Sequence, residues 1–396
     1  METDSINYDF DHITDRRHTN SIKWDFNQRT FGREDILPMW VADMDFPAPE
    51  AVVAALVNRA KHGIYGYSDG MEGYYQALID WMQKRHGWEI QRDWIAFSPG
   101  IVPALNELVR SLTKPRDKIL VQFPIYPPFF QAIQNHDREV VSSQLILENG
   151  RYTMDFVDLE EKMAGGVKMM ILCNPHNPVG RVWERVELER LGQLCLAHNV
   201  LVISDEIHCD LIYEGHHHIP FASLSPELAL QSIVCTAPSK TFNLAGLQTS
   251  NLIIPNSKYR HAFRASLDLT GIHLPNVFGM TAMEAAYRHG SDWLDQLMVY
   301  LLDNVKFLTS FLDRELPQVK VIQPEGTYLI WLDFRALGME PKALHKFLVH
   351  EAGVGLSAGY RFGLGGEGYA RLNLGCARSV LEEGLQRIKV AVNGLG

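Results

Sequence analysis

Lys240 is the residue whose surroundings first suggest chemistry. In 236-TAPSKTFNLAGLQ-248 it sits among small, apolar and glycine residues, with no other charge beside it. The preceding 231-QSIVCTAP-238 reads as a short buried strand ending in proline, so the lysine projects from the end of a sheet. An ammonium withdrawn from water loses proton affinity and becomes a nucleophilic amine. Such an amine forms Schiff bases with carbonyl compounds.

Four other polar positions fall at strand ends, where open parallel sheets bind ligands. The strand 93–97 runs into 98-SPGIV-102 and a helix. A helix N-terminus reached through glycine offers free N–H groups and a positive dipole end to a phosphate, here at Gly100 and Ile101. Tyr126, held between prolines in 124-PIYPPFF-130, can stack on a flat ring. Asn177, in the rigid turn 174-NPHNPVG-180, can donate its amide to a phenolate oxygen. Asp205 in 205-DEIHCD-210 follows an apolar run and needs a partner for its charge; a pyridinium nitrogen is one, and His208 can reach the same ring. Alone, each has an ordinary explanation: a glycine turn, a packing aromatic, an Asn-Pro turn, a helix cap. Together, in chain order, they are what a pyridine aldehyde with a phosphate arm requires, and pyridoxal phosphate is such a molecule.

The elements that must carry these residues alternate. Strands are expected at 93–100, 117–124, 168–175, 200–206 and 231–238, with helices at 49–62, 71–86, 101–113 and 185–199. The near-continuous apolar run 168-KMMILCNP-175 suits a strand covered on both faces. This predicts an α/β fold with a mainly parallel central sheet flanked by helices. A long helical stretch follows at 276–314, then strand 327–334, helix 341–353, strand 369–375 and helix 378–392. Those last elements read as a smaller α+β domain. The expected organisation is an N-terminal segment, 1–48, packing with the small domain; a large domain, 49–290; and a small C-terminal domain, 291–396.

With 396 residues, 46% hydrophobic and 21% charged, the chain can bury a large core. A net charge of −10 gives no electrostatic reason to expect nucleic acid or an anionic membrane as partner. The five cysteines show no CxxC spacing, which fits reduced thiols in a cytoplasm. The polar N-terminus has no apolar signal core, and no run of 18 apolar residues is present, so no membrane span is expected. The segment 363-GLGGEG-368 fits GxGxxG but opens into a strand, the reverse of a dinucleotide fingerprint, and reads as a loop beside Arg371. His216, His217 and His218 are adjacent and lack a familiar metal spacing; they read as a solvated loop, and no metal is expected.

The chain resembles the fold-type I pyridoxal-phosphate enzymes of aminotransferase class I/II, most closely the bacterial MalY/PatB-type carbon–sulfur β-lyases. The resemblance rests on 16-RRHTNSIKWD-25, 39-MWVADMDFPAP-49, 174-NPHNPVGRVW-183, 205-DEIH-208, 238-PSKTFNLAGLQ-248 and 370-ARLNLGCAR-378. It implies that Lys240 carries the cofactor, Asp205 pairs with its pyridine nitrogen, Asn177 and His208 lie at its ring oxygen, and Tyr126 stacks on it. Gly100, Ile101 and Ser239 hold the phosphate. Tyr67, in 64-IYGYSDG-70, matches a tyrosine that reaches the neighbouring subunit's phosphate, which implies a homodimer with shared sites. Arg371 clamps the carboxylate of an amino-acid substrate, helped by backbone at Val41 and Ala42 and by Asn174. Gln248 stands where many relatives carry a phosphate-binding arginine, Ala237 where many carry serine, and Pro127 where cystalysin has a second tyrosine.

The implied reaction is α,β-elimination from cystathionine or another cysteine S-conjugate, giving a thiol, pyruvate and ammonia. An aminotransferase would use the same lysine and aspartate and is the alternative. MalY-like members can also bind a transcriptional activator, so an additional regulatory role is a third expectation.

Overall fold

Short apolar runs make the core of the molecule. In the computed structural model, which describes residues 6–70, 72–272 and 274–395, seven of them form one sheet. The strands are β1 (Ile95–Ser98), β2 (Lys118–Phe123), β3 (Glu139–Gln144), β4 (Val167–Cys173), β5 (Leu201–Asp205), β6 (Ser232–Thr236) and β7 (Ser250–Ile253). Their order is β1-β7-β6-β5-β4-β2-β3. Only β7 runs antiparallel to its neighbours. Every residue of β5 and β6 is buried, as strands covered on both faces must be. Alternate side chains enter two separate apolar layers: Ile119, Val121, Ile171 and Ile203 on one face, Leu120, Met170, Leu172 and Val202 on the other. Each such burial is worth about 1.5–3 kcal/mol, and together they fix the strand register.

The fold is therefore the α/β arrangement that the alternation predicts, with two strands added. Strands β3 and β7 lack a clear signal, because β3 is a half-exposed edge and β7 is only four residues long. The helices match closely: Glu50–Lys61, Glu72–His86, Ile101–Leu112 and Arg185–Ala197. The predicted helical run 276–314 is two helices, Val277–His289 and Ser291–Glu315, because Gly290 caps one and starts the next. A Cβ at Gly290 would collide with the Phe242 ring, so this close approach requires glycine.

A second sheet holds β8 (Lys320–Val321), β9 (Leu329–Asp333), β10 (Ser357–Ala358) and β11 (Tyr369–Asn373) in the order β8-β9-β11-β10, all antiparallel. Arg371 lies on β11, opposite Trp331 on one side and Ser357 on the other. The helices Pro341–His350 and Arg378–Asn393 complete this part. Leu37–Pro38 pairs in parallel with Val354–Gly355, which ties the N-terminal segment to it. Among the described residues no helix is long and apolar enough to cross a membrane.

Candidate active site

The carboxyl ends of β4, β5 and β6 open into a cavity lined by Gly100, Ile101, Tyr126, Asn177, Asp205, His208, Ser239 and Lys240. Each of these residues follows a strand. Asp205 ends β5, and Lys240 lies in the single turn Pro238–Thr241 just past β6. Gly100 precedes the helix Ile101–Leu112, whose N-terminus no side chain caps. The N–H groups there face the cavity with the positive end of the helix dipole.

A second cavity shares Ala42, Tyr126 and Lys240 with the first and adds Val41, Pro127, Ser357, Arg361 and Arg371. Trp40, Val41 and Ala42 form one wall; they begin the segment 40–46, which is held by hydrogen bonds along its length. Trp40 O accepts from Arg371 Nη2 at 3.0 Å, and Ala42 O accepts from Lys240 Nζ at 2.6 Å and Tyr328 Oη at 3.0 Å. Asn373 Nδ2 donates to both Val41 O and Asp43 O. Asn243 donates to Met44 O and Phe46 O. At its end Asp45 takes Lys23, Trp24 and Arg16, with Lys23 only 1% exposed.

Burial dominates the electrostatics. Loss of hydration pushes the Asp205 carboxyl up to about 7; Glu206 adds to this, while the Ile207 N–H and Lys240 oppose it. Burial lowers Lys240 to about 8, with Asp43 and Asp205 pulling it back up and Arg371 pushing it down. Arg371 falls to about 10, again through burial, and stays cationic at neutral pH. His208 is pushed well below its usual value by burial, then by Lys240 and Arg371, so it is neutral. Asn177 Oδ1 accepts from Arg371 Nη1 at 2.9 Å, which turns its amide NH2 away from that arginine. His208 Nδ1 and Arg371 Nε are buried with no hydrogen-bond partner among the described residues.

This geometry has known counterparts. The aminotransferase class I and II family matches residues 34–388, most of the chain. The chain belongs to the aminotransferase class I and II family. It is 48% identical over 385 residues to cystathionine beta-lyase PatB of Bacillus subtilis, covering 97% of this chain and 100% of that one. The structure of cystalysin from Treponema denticola, which contains pyridoxal 5'-phosphate, superposes with a TM-score of 0.96 at 38% identity, covering 99% of this chain and 100% of that one. The PLP-bound C-S lyase from Staphylococcus hominis does so with a TM-score of 0.93 at 38% identity, covering 98% of each chain.

Asn174 and Tyr67, also expected at the site, line neither cavity of this chain. Asn174 is fully buried and its side chain is used by backbone: Oδ1 accepts from Trp183 N at 3.4 Å and Nδ2 donates to Ile219 O at 3.3 Å. It shapes the turn and lines neither cavity. Tyr67 is fully exposed, outside the cavities of its own chain. His218 also departs from the solvated loop: its ring is buried and Nε2 meets Glu206 Oε2 at 2.8 Å. The helix-cap alternative for Asp205 reduces to one bond, from Ile207 N to Oδ1 at 3.2 Å. Tyr328, Asn373 and Ser357 are the positioning groups that spacing does not reveal. Tyr328 just precedes β9, Ser357 opens β10 and Asn373 ends β11, and only the tertiary fold brings them to the segment 40–46.

Proposed function

We propose that the protein is a pyridoxal 5'-phosphate-dependent carbon–sulfur β-lyase. It cleaves cystathionine or other L-cysteine S-conjugates to a thiol, pyruvate and ammonia; cystathionine gives homocysteine. One observation carries the reading: a desolvated lysine stands where two cavities meet. One cavity ends in a buried carboxyl and an uncapped helix N-terminus, the other in a buried arginine. PatB is a cystathionine beta-lyase and the Staphylococcus hominis enzyme a C-S lyase, which supports the choice of a carbon–sulfur bond.

The first cavity fits the cofactor. A carboxyl held near 7 by burial is a site in want of a cation, and a pyridinium nitrogen would supply one. The unpartnered His208 Nδ1 and the free amide of Asn177 suit the ring oxygen. Gly100, Ile101 and Ser239 suit the phosphate, and Tyr126 the ring face. When bound, the cofactor supplies the electron sink that allows the Cα–H bond of an amino acid to break.

The chain's own residues do the rest. Lys240 anchors the cofactor and then takes the Cα proton at Nζ, a base role that its lowered pKa favours. Arg371 fixes the substrate carboxylate, its planar fork oriented by Asn177 and by Trp40 O. Asp205, re-ionised by its cationic partner, keeps the ring nitrogen protonated. The segment 40–46 closes the substrate side against water. We further propose a homodimer, in which the exposed Tyr67 of each chain completes the phosphate site of the other. A cytoplasmic location fits five free, buried cysteines.

The test follows pyruvate and free thiol from L-cystathionine with no keto acid present. Equimolar, multiple-turnover release supports the lyase. Turnover that appears only when a keto acid is added would establish the aminotransferase instead. Cofactor binding without turnover in either assay would leave the regulatory reading as the better one.

A further inference from the structure

The second cavity carries more positive charge than one amino-acid carboxylate needs. Arg371 is committed to the α-carboxylate, yet Arg361 lines the same cavity, and no Asp or Glu does; His345 beside it is held below its ordinary pKa, by burial first and then by Arg361 and His350, and adds no charge. Arg361 follows β10 within the short turn Gly359–Phe362, four residues after Ser357, whose hydroxyl accepts from Arg371 Nη2 at 3.3 Å. The fold thus sets the two arginines along one wall, with Phe362 packed under Arg371 at 5.0 Å. Among the described residues Arg361 makes no hydrogen bond or ion pair. Ile22, Phe31 and Leu356 give the same space an apolar stretch, beside the polar Thr30 and His345. A guanidinium without a partner, over an apolar wall and beyond the carboxylate clamp, is placed to receive a second anion.

We propose that Arg361 selects S-conjugates whose leaving thiol carries its own carboxylate. This rests on the β-lyase reading and names its substrate class. The thioether spans the apolar stretch between the two arginines, and the distal carboxylate meets Arg361 in a forked, charge-assisted pair. Cystathionine has that form; a simple S-alkyl cysteine does not. Arg361 is exposed before substrate arrives, so part of the attraction is screened and the selectivity it gives is moderate.

Two matched conjugates test this on the holoenzyme: S-(carboxyethyl)-L-cysteine and the neutral S-propyl-L-cysteine. The ratio of their kcat/KM values is expected to favour the carboxylate, and Arg361→Gln to lower that ratio about tenfold, mainly through KM. Arg361→Lys, which keeps the charge but loses the fork, is expected to restore part of it. A ratio unchanged by Arg361→Gln would overturn the proposal and leave Arg361 a solvated surface cation. Equal loss on both substrates would also overturn it, as a structural effect. Calorimetric titration with α-methyl-L-aminoadipate and α-methyl-L-norleucine, which have no Cα proton to lose, gives an independent reading. Tighter binding of the dicarboxylate in wild type, lost in Arg361→Gln, supports the role, and equal binding sinks it. If neither these conjugates nor L-cystathionine yields pyruvate in wild type, the β-lyase reading fails while this comparison still decides the role of Arg361.

Discussion

The two sides of the site are built on opposite principles. At the sheet ends the polar groups are under-satisfied: Asp205 has one backbone donor, and His208 Nδ1 has no partner. Across the cavity the segment 40–46 is satisfied at nearly every carbonyl, by Arg371, Asn373, Lys240, Tyr328, Asn243 and Arg16. A buried polar group left unpaired costs about 1–3 kcal/mol. The sheet-end side therefore stores affinity for a ligand that completes it, whereas the backbone of the segment 40–46 is already paired and serves to position, although Trp40 Nε1 and Asp43 Oδ1 have no partner among the described residues. The contrast separates residues that bind from residues that hold.

Three substitutions press on that contrast, and the largest effect belongs to the residue the two sides share. Lys240→Ala is expected to abolish turnover, with a loss of about a thousandfold or more, and to leave a protein that takes up cofactor without the covalent absorbance band. Retention of more than a few per cent of activity would remove Lys240 from its role. Next, Lys23→Met leaves the buried Asp45 carboxylate with Arg16 and Trp24 alone and is expected to cost about 2 kcal/mol, read by urea unfolding. It should raise KM for the amino acid more than it weakens cofactor binding; the reverse order would mean that the segment 40–46 serves the cofactor side instead.

The smallest effect concerns the cofactor-free protein and its pH dependence. The Asp205 pKa is raised in the folded state, to about 7 against an ordinary 3.8. A raised carboxyl contributes stability that is fully present below the unfolded pKa and is lost as pH rises through the folded one. Asp205→Asn cannot ionise and escapes that loss. The cofactor-free variant should therefore melt above cofactor-free wild type at pH 8, by a few degrees, and the gap should close toward pH 4. With cofactor bound the order should invert, because wild type gains the ion pair. A gap that does not change with pH would mean that Asp205 is not the strained group on the sheet-end side.

The same division governs what the sequence reveals. Lys240, Asp205 and Asn177 are legible because each follows an apolar run that a parallel sheet must bury, and strand ends are where such sheets bind ligands. The positioning side has no such grammar. Tyr328 lies in 327-TYLIWLDF-334, where another aromatic reads as core, and its hydroxyl finds a carbonyl 286 residues away. Asn174 and Asn177 both precede proline after one strand, and spacing does not tell which amide faces the cavity; only the backbone of Trp183 and Ile219 decides. The break at Gly290 is hidden in a helical pattern for the same reason, since its cause is the ring of Phe242, 48 positions earlier in the chain.

The segment 40–46 contributes its carbonyl oxygens rather than its side chains to Arg371, Asn373 and Lys240. Any residue other than proline or glycine presents the same carbonyl in the same place, so the identities of Val41 and Ala42 are nearly uncoupled from the hydrogen bonds that Asn373 and Lys240 make to them. Both residues nonetheless line the second cavity, where the proposed leaving group would lie. Divergence, or a library built at these two positions, can therefore change what the enzyme accepts while leaving its catalytic apparatus intact.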